Sequence, residues 1–343
     1  MELAAIDQDQ ATTIVAVLGA VATARGTQPA SEADLAVIRA ASRHLLGNPR
    51  VSSDLARSIP GEVTEVLATP DARELTLTIA SILCFADVTV SDDTMRGFID
   101  PVRVTVVDDL ARYLRVSALD VIDIRRLVKF HRDRVAFDLF RRFPLATDGA
   151  DGSMVDAAVR HAESRVDIDS RHVHALWSRA ESLPQGSVGA ELVRYYREND
   201  WRYPGTDHHH PLRFVDHDVH HVLGGYATTS SGEIALGAFL SGVARRPIDG
   251  ARTFLLWEQL TAGSTAAIGP DPFDVEAFLL AFDRGFRTTV NFTDPGWDAW
   301  SIVDFDLATL REQYAIGGGG AQLEASDPYN LDPIRADHEY FTP

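Results

Sequence analysis

Residues 217–243 read HDVHHVLGGYATTSSGEIALGAFLSGV, and this stretch decides the fold class. Gly224 and Gly225 interrupt it, because glycine suits the left-handed cap of a helix and lowers helix stability. The hydroxyl-bearing residues Thr228–Ser231 that follow are good N-caps for a second helix. The stretch therefore predicts two helices joined by a short turn, over 211–223 and 231–243.

The rest of the chain has the same helical character. Alanine and leucine are abundant, and apolar residues recur with a period near 3.6 more often than they alternate. A capping box at Ser31–Asp34 opens one helix, which Gly47 ends. Other helices are predicted over 9–24, 71–86, 108–115, 118–144, 152–164, 169–182, 187–198, 272–286 and 306–315. Only Val102–Val106 alternates like a strand, and it is too short to carry a sheet. The sequence predicts an all-α protein.

A polar cluster of Gly and Asp at 146–152 separates two helical halves and predicts a domain boundary. A run of four glycines, Gly317–Gly320, predicts a hinge that leads into an acidic tail. The predicted organisation is an N-terminal helical module over 1–145, a second domain over 151–316, and the hinge with its tail over 317–343.

Composition narrows the class of protein. The net charge of −18 disfavours binding to nucleic acid. The single cysteine, Cys84, cannot form an internal disulfide and is expected to pack as a small apolar side chain. The chain lacks a basic signal-peptide start, and no apolar run reaches about 18 residues. These features predict a soluble cytoplasmic protein without a transmembrane segment, and they leave peripheral membrane association and homo-oligomers open.

The strongest chemical signal is the set His217, Asp218, His221 and Glu233. The two histidines are four residues apart, so they lie on one face of a helix, with Asp218 about 100° round from His217. Glu233 falls in the first turn of the next helix, where the helix dipole tolerates a carboxylate. Two imidazoles and two carboxylates suit one divalent metal ion, zinc first, with iron, manganese or magnesium as alternatives.

Simpler interpretations of the histidines remain open. Histidines four apart on a helix also occur as partners of surface carboxylates, and His220 is a substitute metal ligand. The triplet His208–His210 fits a solvated loop better than a ligand set. A zinc protease is disfavoured, because Asp218 stands where that motif needs a glutamate. The chain also lacks a Gly-x-Ser-x-Gly elbow and a phosphate-binding glycine loop.

Residues 180–316 carry a resemblance to a known family. The segments that carry it are Leu183-Pro184-Gln185-Gly186-Ser187-Val188-Gly189, Trp201-Arg202-Tyr203-Pro204-Gly205, His217-Asp218-x-x-His221-x-x-x-Gly225, Gly232-Glu233, Trp297–Trp300 and Leu310–Tyr314. Their order is similar to that of the coenzyme Q (ubiquinone) biosynthesis metal-binding family, whose signature is His-Asp-x-x-His-(eleven residues)-Glu. Separately, the acidic segment 86–93 loosely resembles the TerB-like helical domains of tellurite resistance. The N-terminal half lies outside the ubiquinone-type resemblance.

The ubiquinone-type resemblance implies an all-helical fold, a divalent metal held by His217, Asp218, His221 and Glu233, and a groove for a prenylated aromatic. Two functions follow as expectations. One is a metal-dependent enzyme that acts on an aromatic or prenylated quinone-type precursor, in oxidative decarboxylation or hydroxylation, or on a related metabolite. The other is a non-catalytic scaffold or lipid-binding protein that organises biosynthetic partners around a structural metal. No catalytic residue is identified. Aromatic residues near the motif form the expected substrate pocket: Trp201, Tyr203, Phe214, Tyr226 and Phe239.

Overall fold

The computed structural model describes residues 6–47, 50–52, 54–84, 101–116, 170–206, 212, 214–226, 230–244, 275–294 and 296–316. These residues contain eleven α-helices, one 3-10 helix and no strand, which confirms the predicted all-α class. The helices are α1 Gln8–Ala22, α2 Glu32–His44, α3 Val63–Val66, α4 Pro70–Ile82, α5 Pro101–Leu114, α6 Ser170–Ser182, α7 Val188–Glu198, α8 Phe214–Gly224, α9 Ser230–Ala244, α10 Val275–Phe286 and α11 Leu307–Gln313, with the 3-10 helix at Ala299–Ser301.

The chain divides into two compact units. The first unit comprises residues 1–137 and 237–286, and the second comprises 138–236 and 287–343. The expected boundary at 146–152 lies outside the described residues. The sequence places 237–286 with the second domain, whereas in the structure this segment groups with the N-terminal part.

The first unit is built around the packing of α1 on α2 and α4, and of α10 along α2. Helices α9 and α10 approach so closely that glycine is required at their contact. A β-carbon added to Gly285 would lie 1.9 Å from the Phe239 carbonyl oxygen, and one added to Gly242 would lie 2.2 Å from the Phe282 carbonyl oxygen. The backbones of α9 and α10 are therefore in direct contact.

A buried ion pair ties α2 to α5. The Arg103 guanidinium donates to both carboxylate oxygens of Asp34, at 2.8 and 2.7 Å, and also to the Leu83 carbonyl at 3.2 Å. Asp34 also completes the predicted capping box with Ser31 at the start of α2. Because both charged side chains are almost fully buried, each depends on the other for its solvation.

The strand-like alternation at 102–106 was a misleading signal, since the whole segment is helical. Helix α5 begins at Pro101, seven residues before the predicted start of the helix over 108–115. Val102 is exposed, whereas Val106, Val107 and Leu110 are buried at helical spacing. Of the two polar residues in this segment, Thr105 is exposed, whereas Arg103 is buried because it binds a buried carboxylate. The polar character of position 103 therefore does not mark an exposed face.

In the second unit, α7 packs between α6 and α8. The short helix α11 supports the end of α8 through one side chain. Arg311 donates from Nε to the Leu223 carbonyl at 2.9 Å and from a terminal nitrogen to the Val222 carbonyl at 2.7 Å. These are among the last carbonyls of α8, which have no partner within the helix, and a cation at this end also complements the helix dipole.

Among the described residues, no helix has both the length and the apolar character that crossing a membrane requires.

Candidate metal centre

Helix α8 carries three of the four predicted metal ligands, and it brings two of them, His217 and His221, into contact. His221 is fully buried, Asp218 is buried and His217 is half-buried. The Nε2 atoms of His217 and His221 lie 3.1 Å apart, with the two rings almost perpendicular at 81°. The spacing of four residues thus points both imidazoles at a common position above one turn of the helix, as the sequence predicts.

The turn after α8 fixes the orientation of His221. Gly225 adopts φ 75°, a left-handed conformation that glycine favours, and its amide donates to the His221 carbonyl at 2.8 Å. The chain then turns back, so that the Tyr226 carbonyl oxygen lies 3.0 Å from Nδ1 of His221. A carbonyl can only accept, so Nδ1 carries the proton and Nε2 presents its lone pair toward His217.

The 3.1 Å separation of the two Nε2 atoms fits two arrangements. In the first, a neutral His217 donates an N–H···N hydrogen bond to His221. In the second, both nitrogens bind one metal ion. Bonds of about 2.0–2.1 Å separate two such nitrogens by about 2.8 Å at a right angle and about 3.4 Å at the tetrahedral angle. The observed separation lies inside that interval, and a carbonyl partner on the other ring nitrogen is usual for a metal-binding histidine. The separation of the two nitrogens therefore fits either a hydrogen bond or a shared metal ion.

Asp218 is anchored by a tyrosine from the neighbouring helix. The hydroxyl of Tyr196, on α7, donates to Oδ2 of Asp218 in a buried hydrogen bond. Burial raises the pKa of Tyr196, and the adjacent negative charge of Asp218 raises it further, so the phenol stays protonated and remains a donor. The carboxylate thus has a fixed donor on one of its two oxygens.

Glu233 lies in the first turn of α9, as predicted, but its side chain lies outside the described part of the structure. The four-residue ligand set therefore stays a prediction. Within the described residues alone, no group of three or more His, Cys, Asp or Glu side chains is arranged to hold a metal ion. The triplet His208–His210 also lies outside the described residues.

His220 has a structural role in the core. It is buried, its Nε2 lies 3.3 Å from the Phe292 carbonyl oxygen, and its ring stacks on Trp297 at 5.1 Å. Burial lowers the pKa of His220 to about 3, with a further contribution from nearby His217, so the ring is neutral at pH 7. Because Nε2 of His220 already has this carbonyl partner, the ring is held in the core, and its role as a substitute ligand stays a prediction.

Three of the five predicted pocket residues lie in the second unit with described side chains. Trp201 packs edge-on against Tyr195 at 5.6 Å, and Tyr203 stacks on Trp177 at 4.3 Å. Tyr226 is fully buried and supplies the carbonyl that binds His221. Phe239 belongs to the first unit, where it is buried with Arg284 over its ring at 5.8 Å. The side chain of Phe214 lies outside the described residues.

Sequence reasoning missed Tyr196 and the aromatic residues around it. Trp177 contacts Tyr196 edge-on at 5.2 Å, and Tyr195 lies 5.9 Å from the His221 ring. The signal in the sequence was the Tyr195-Tyr196 pair on the amphipathic helix over 187–198. That pattern predicts a buried face, but it does not indicate which side chain on another helix the phenol reaches.

No protein-family model, curated protein or solved structure matches the chain. The likeness to the ubiquinone-biosynthesis family rests on the order and spacing of short sequence segments alone.

Proposed function

We propose that the chain binds one divalent metal ion, zinc first, through His217, Asp218, His221 and Glu233. We further propose that this centre acts on an aromatic or prenylated quinone-type precursor, in oxidative decarboxylation or hydroxylation. The observation that carries the proposal is the 3.1 Å separation between Nε2 of His217 and Nε2 of His221. The contact of His221 Nδ1 with the Tyr226 carbonyl leaves the lone pair of His221 on Nε2.

The charges of the proposed ligands suit an anionic substrate. Two neutral imidazoles and two carboxylates together cancel the charge of a divalent ion, so a bound substrate carboxylate would not place a large net charge in a buried site. A divalent ion at such a site supplies Lewis-acid and templating chemistry. The residues of the chain orient the ligands: the Tyr226 carbonyl holds the His221 ring, and the Tyr196 hydroxyl holds Asp218.

The aromatic surroundings support an aromatic substrate. Tyr195, Tyr196 and Trp201 form edge-on contacts with one another close to Asp218 and His221. Rigid aromatic walls with a few polar groups are typical of small-molecule sites. The resemblance in motif spacing to a ubiquinone-biosynthesis family points to the same class of substrate.

Elemental analysis of the purified full-length protein tests the metal. We expect about one zinc ion per wild-type chain and little or none in His217→Ala, His221→Ala and Glu233→Ala, because losing one of four ligands weakens binding strongly. His174→Ala is the matched control, since His174 is an exposed histidine on α6. Full occupancy in the ligand variants would overturn the proposed metal site.

The reaction is tested separately with metal-loaded protein and a panel of simple and prenylated hydroxybenzoates, with and without O₂. Turnover that is lost in Glu233→Ala supports the enzyme. A metal-loaded protein that neither binds nor converts any member of the panel would instead favour the scaffold function, in which the protein fills every coordination position.

A further inference from the structure

We propose that Asn199 determines which aromatic ligands the second unit binds: its side-chain oxygen Oδ1 accepts a hydrogen bond from a hydroxyl group on the ring. This inference rests on the aromatic substrate proposed above, and it does not depend on how a metal ion is held. The observation behind it is that Oδ1 of Asn199 is buried and that no group of the described residues donates to it. The whole residue is only 4 % exposed.

The orientation of the Asn199 amide follows from its other hydrogen bond. The side-chain nitrogen Nδ2 lies 2.8 Å from the Tyr195 carbonyl oxygen. Because a carbonyl oxygen can only accept, this side of the amide must be the NH2 group, and Oδ1 must point to the other side. A buried carbonyl oxygen without a donor lowers stability, since it has lost its hydrogen bonds to water. A ligand that supplies a donor removes this cost.

The backbone around Asn199 is held rigidly at the end of α7. Asp200 adopts φ 52°, the left-handed conformation of a helix C-terminus, and the Trp201 amide donates to the Tyr196 carbonyl at 2.9 Å. The rings of Trp201 and Tyr196 also contact each other, with their centres 6.5 Å apart. Asn199 and Trp201 are therefore preorganised, so that a ligand does not have to order them.

Aromatic residues of the proposed substrate site lie beside Asn199 on the same helix. Asn199 follows Tyr195 by four residues, so the two side chains lie on one face of α7. The Tyr195 ring centre lies 5.6 Å from that of Trp201 and 5.9 Å from that of His221. Trp201 is half-buried, so part of its ring is accessible to a ligand. An aromatic ring that packs here with a hydroxyl toward Oδ1 gains apolar contact and one directional hydrogen bond.

The experiment measures ligand binding to the full-length protein by isothermal titration calorimetry. The ligands are simple hydroxybenzoates and the matching fluorobenzoates, because fluorine is similar in size to a hydroxyl but cannot donate a hydrogen bond. We expect the wild type to bind at least one hydroxybenzoate about 5- to 100-fold more tightly than its fluoro analogue, the factor that one buried hydrogen bond supplies. This comparison uses the wild type alone, so it stands even if a substitution at position 199 impairs folding.

A pair of variants assigns the preference to Asn199. Asn199→Leu removes the acceptor and keeps a side chain of similar size, so we expect the preference for the hydroxyl to disappear. Asn291→Leu is the matched control, because Oδ1 of Asn291 accepts from the amide and hydroxyl of Thr293 in an exposed segment. This control should keep the wild-type preference. Circular dichroism checks that each variant is folded.

The possible failures of the inference and of the proposed function are distinguishable. Equal affinity of the wild type for both ligand series would overturn the inference, and it is the result expected if an ordered water molecule satisfies Oδ1. A preference that survives in Asn199→Leu would overturn it as well, because another residue would then recognise the hydroxyl. Both results leave the aromatic site standing. A wild type that binds neither series, with or without zinc, would overturn that site and this inference with it.

Discussion

Adjacent histidines on α8 occupy different chemical environments. Nε2 of His221 faces His217, whereas Nε2 of His220 donates to the Phe292 carbonyl between aromatic rings. The difference of one residue rotates the side chain by about 100° around the helix. Helical geometry thus gives neighbouring histidines different roles: His217 and His221 form a candidate ligand pair, and His220 packs in the core.

This division predicts the behaviour of His220→Ala. The variant loses a buried ring and its hydrogen bond, so we expect the free energy of unfolding to fall by about 2–4 kcal/mol. Zinc per chain should stay at the wild-type value, because Nε2 of His220 is bound to the Phe292 carbonyl and His220 is not one of the proposed ligands. Urea unfolding and elemental analysis of the same samples measure both quantities. His174→Ala, at an exposed site, should change stability by less than about 0.5 kcal/mol. Loss of zinc from folded His220→Ala would show that His220 is a ligand after all.

At the scale of the elements, the contact of α9 with α10 leaves no room for a side chain at two positions. Gly242 of α9 faces the backbone of α10, and Gly285 of α10 faces the backbone of α9. Neither position has space for a β-carbon. Glycine lowers the intrinsic stability of a helix, and here the close approach of two backbones compensates for that cost. Side chains on the same helices, including Phe278 and Phe282, are almost fully buried around this crossing.

Gly285→Ala should therefore destabilise the protein although alanine is the better helix former. The added methyl group would overlap the Phe239 carbonyl, so the helices must separate, and we expect a loss of about 3 kcal/mol or more. Thermal unfolding followed by circular dichroism measures the effect. Gly61→Ala is the control, because no atom lies within 4 Å of the position its methyl group would take. A Gly285→Ala variant as stable as Gly61→Ala would contradict the close packing of α9 on α10.

At the scale of the whole molecule, local sequence signals predicted most of the helices. They predicted little of how the helices group into the two units. The capping box at Ser31–Asp34 and the left-handed Gly225 act within a few residues, so the sequence alone reveals them. The pairing of Tyr196 with Asp218 and the grouping of 237–286 with the N-terminal part depend on contacts between distant segments. The periodicity of a sequence shows that a helix has a buried face, but it does not show which other helix packs against that face. These features therefore required the structure.

The grouping of the chain leads to a prediction for a protein that begins at Asp151. Such a chain keeps α10 but lacks α2, the helix along which α10 packs. We expect the surface of α10 that α2 covers to be exposed and the shortened chain to aggregate or to unfold without cooperativity. Size-exclusion chromatography and urea unfolding, with the full chain as the control, test this. A monomeric shortened chain with cooperative unfolding would instead support the independent domain over 151–316 that the sequence suggests.

The link from Arg311 to the end of α8 has a consequence for the order of events during synthesis. Arg311 leaves the ribosome 88 residues after Leu223, which it binds. At roughly 5–20 residues per second, this delay amounts to about 4–18 s. During that interval the last carbonyls of α8 are hydrated, and the end of the helix that carries His221 lacks its cation. We therefore expect newly made chains to fill the proposed metal centre late, after Arg311 has reached the end of α8, rather than to use a metal ion as a nucleus for folding.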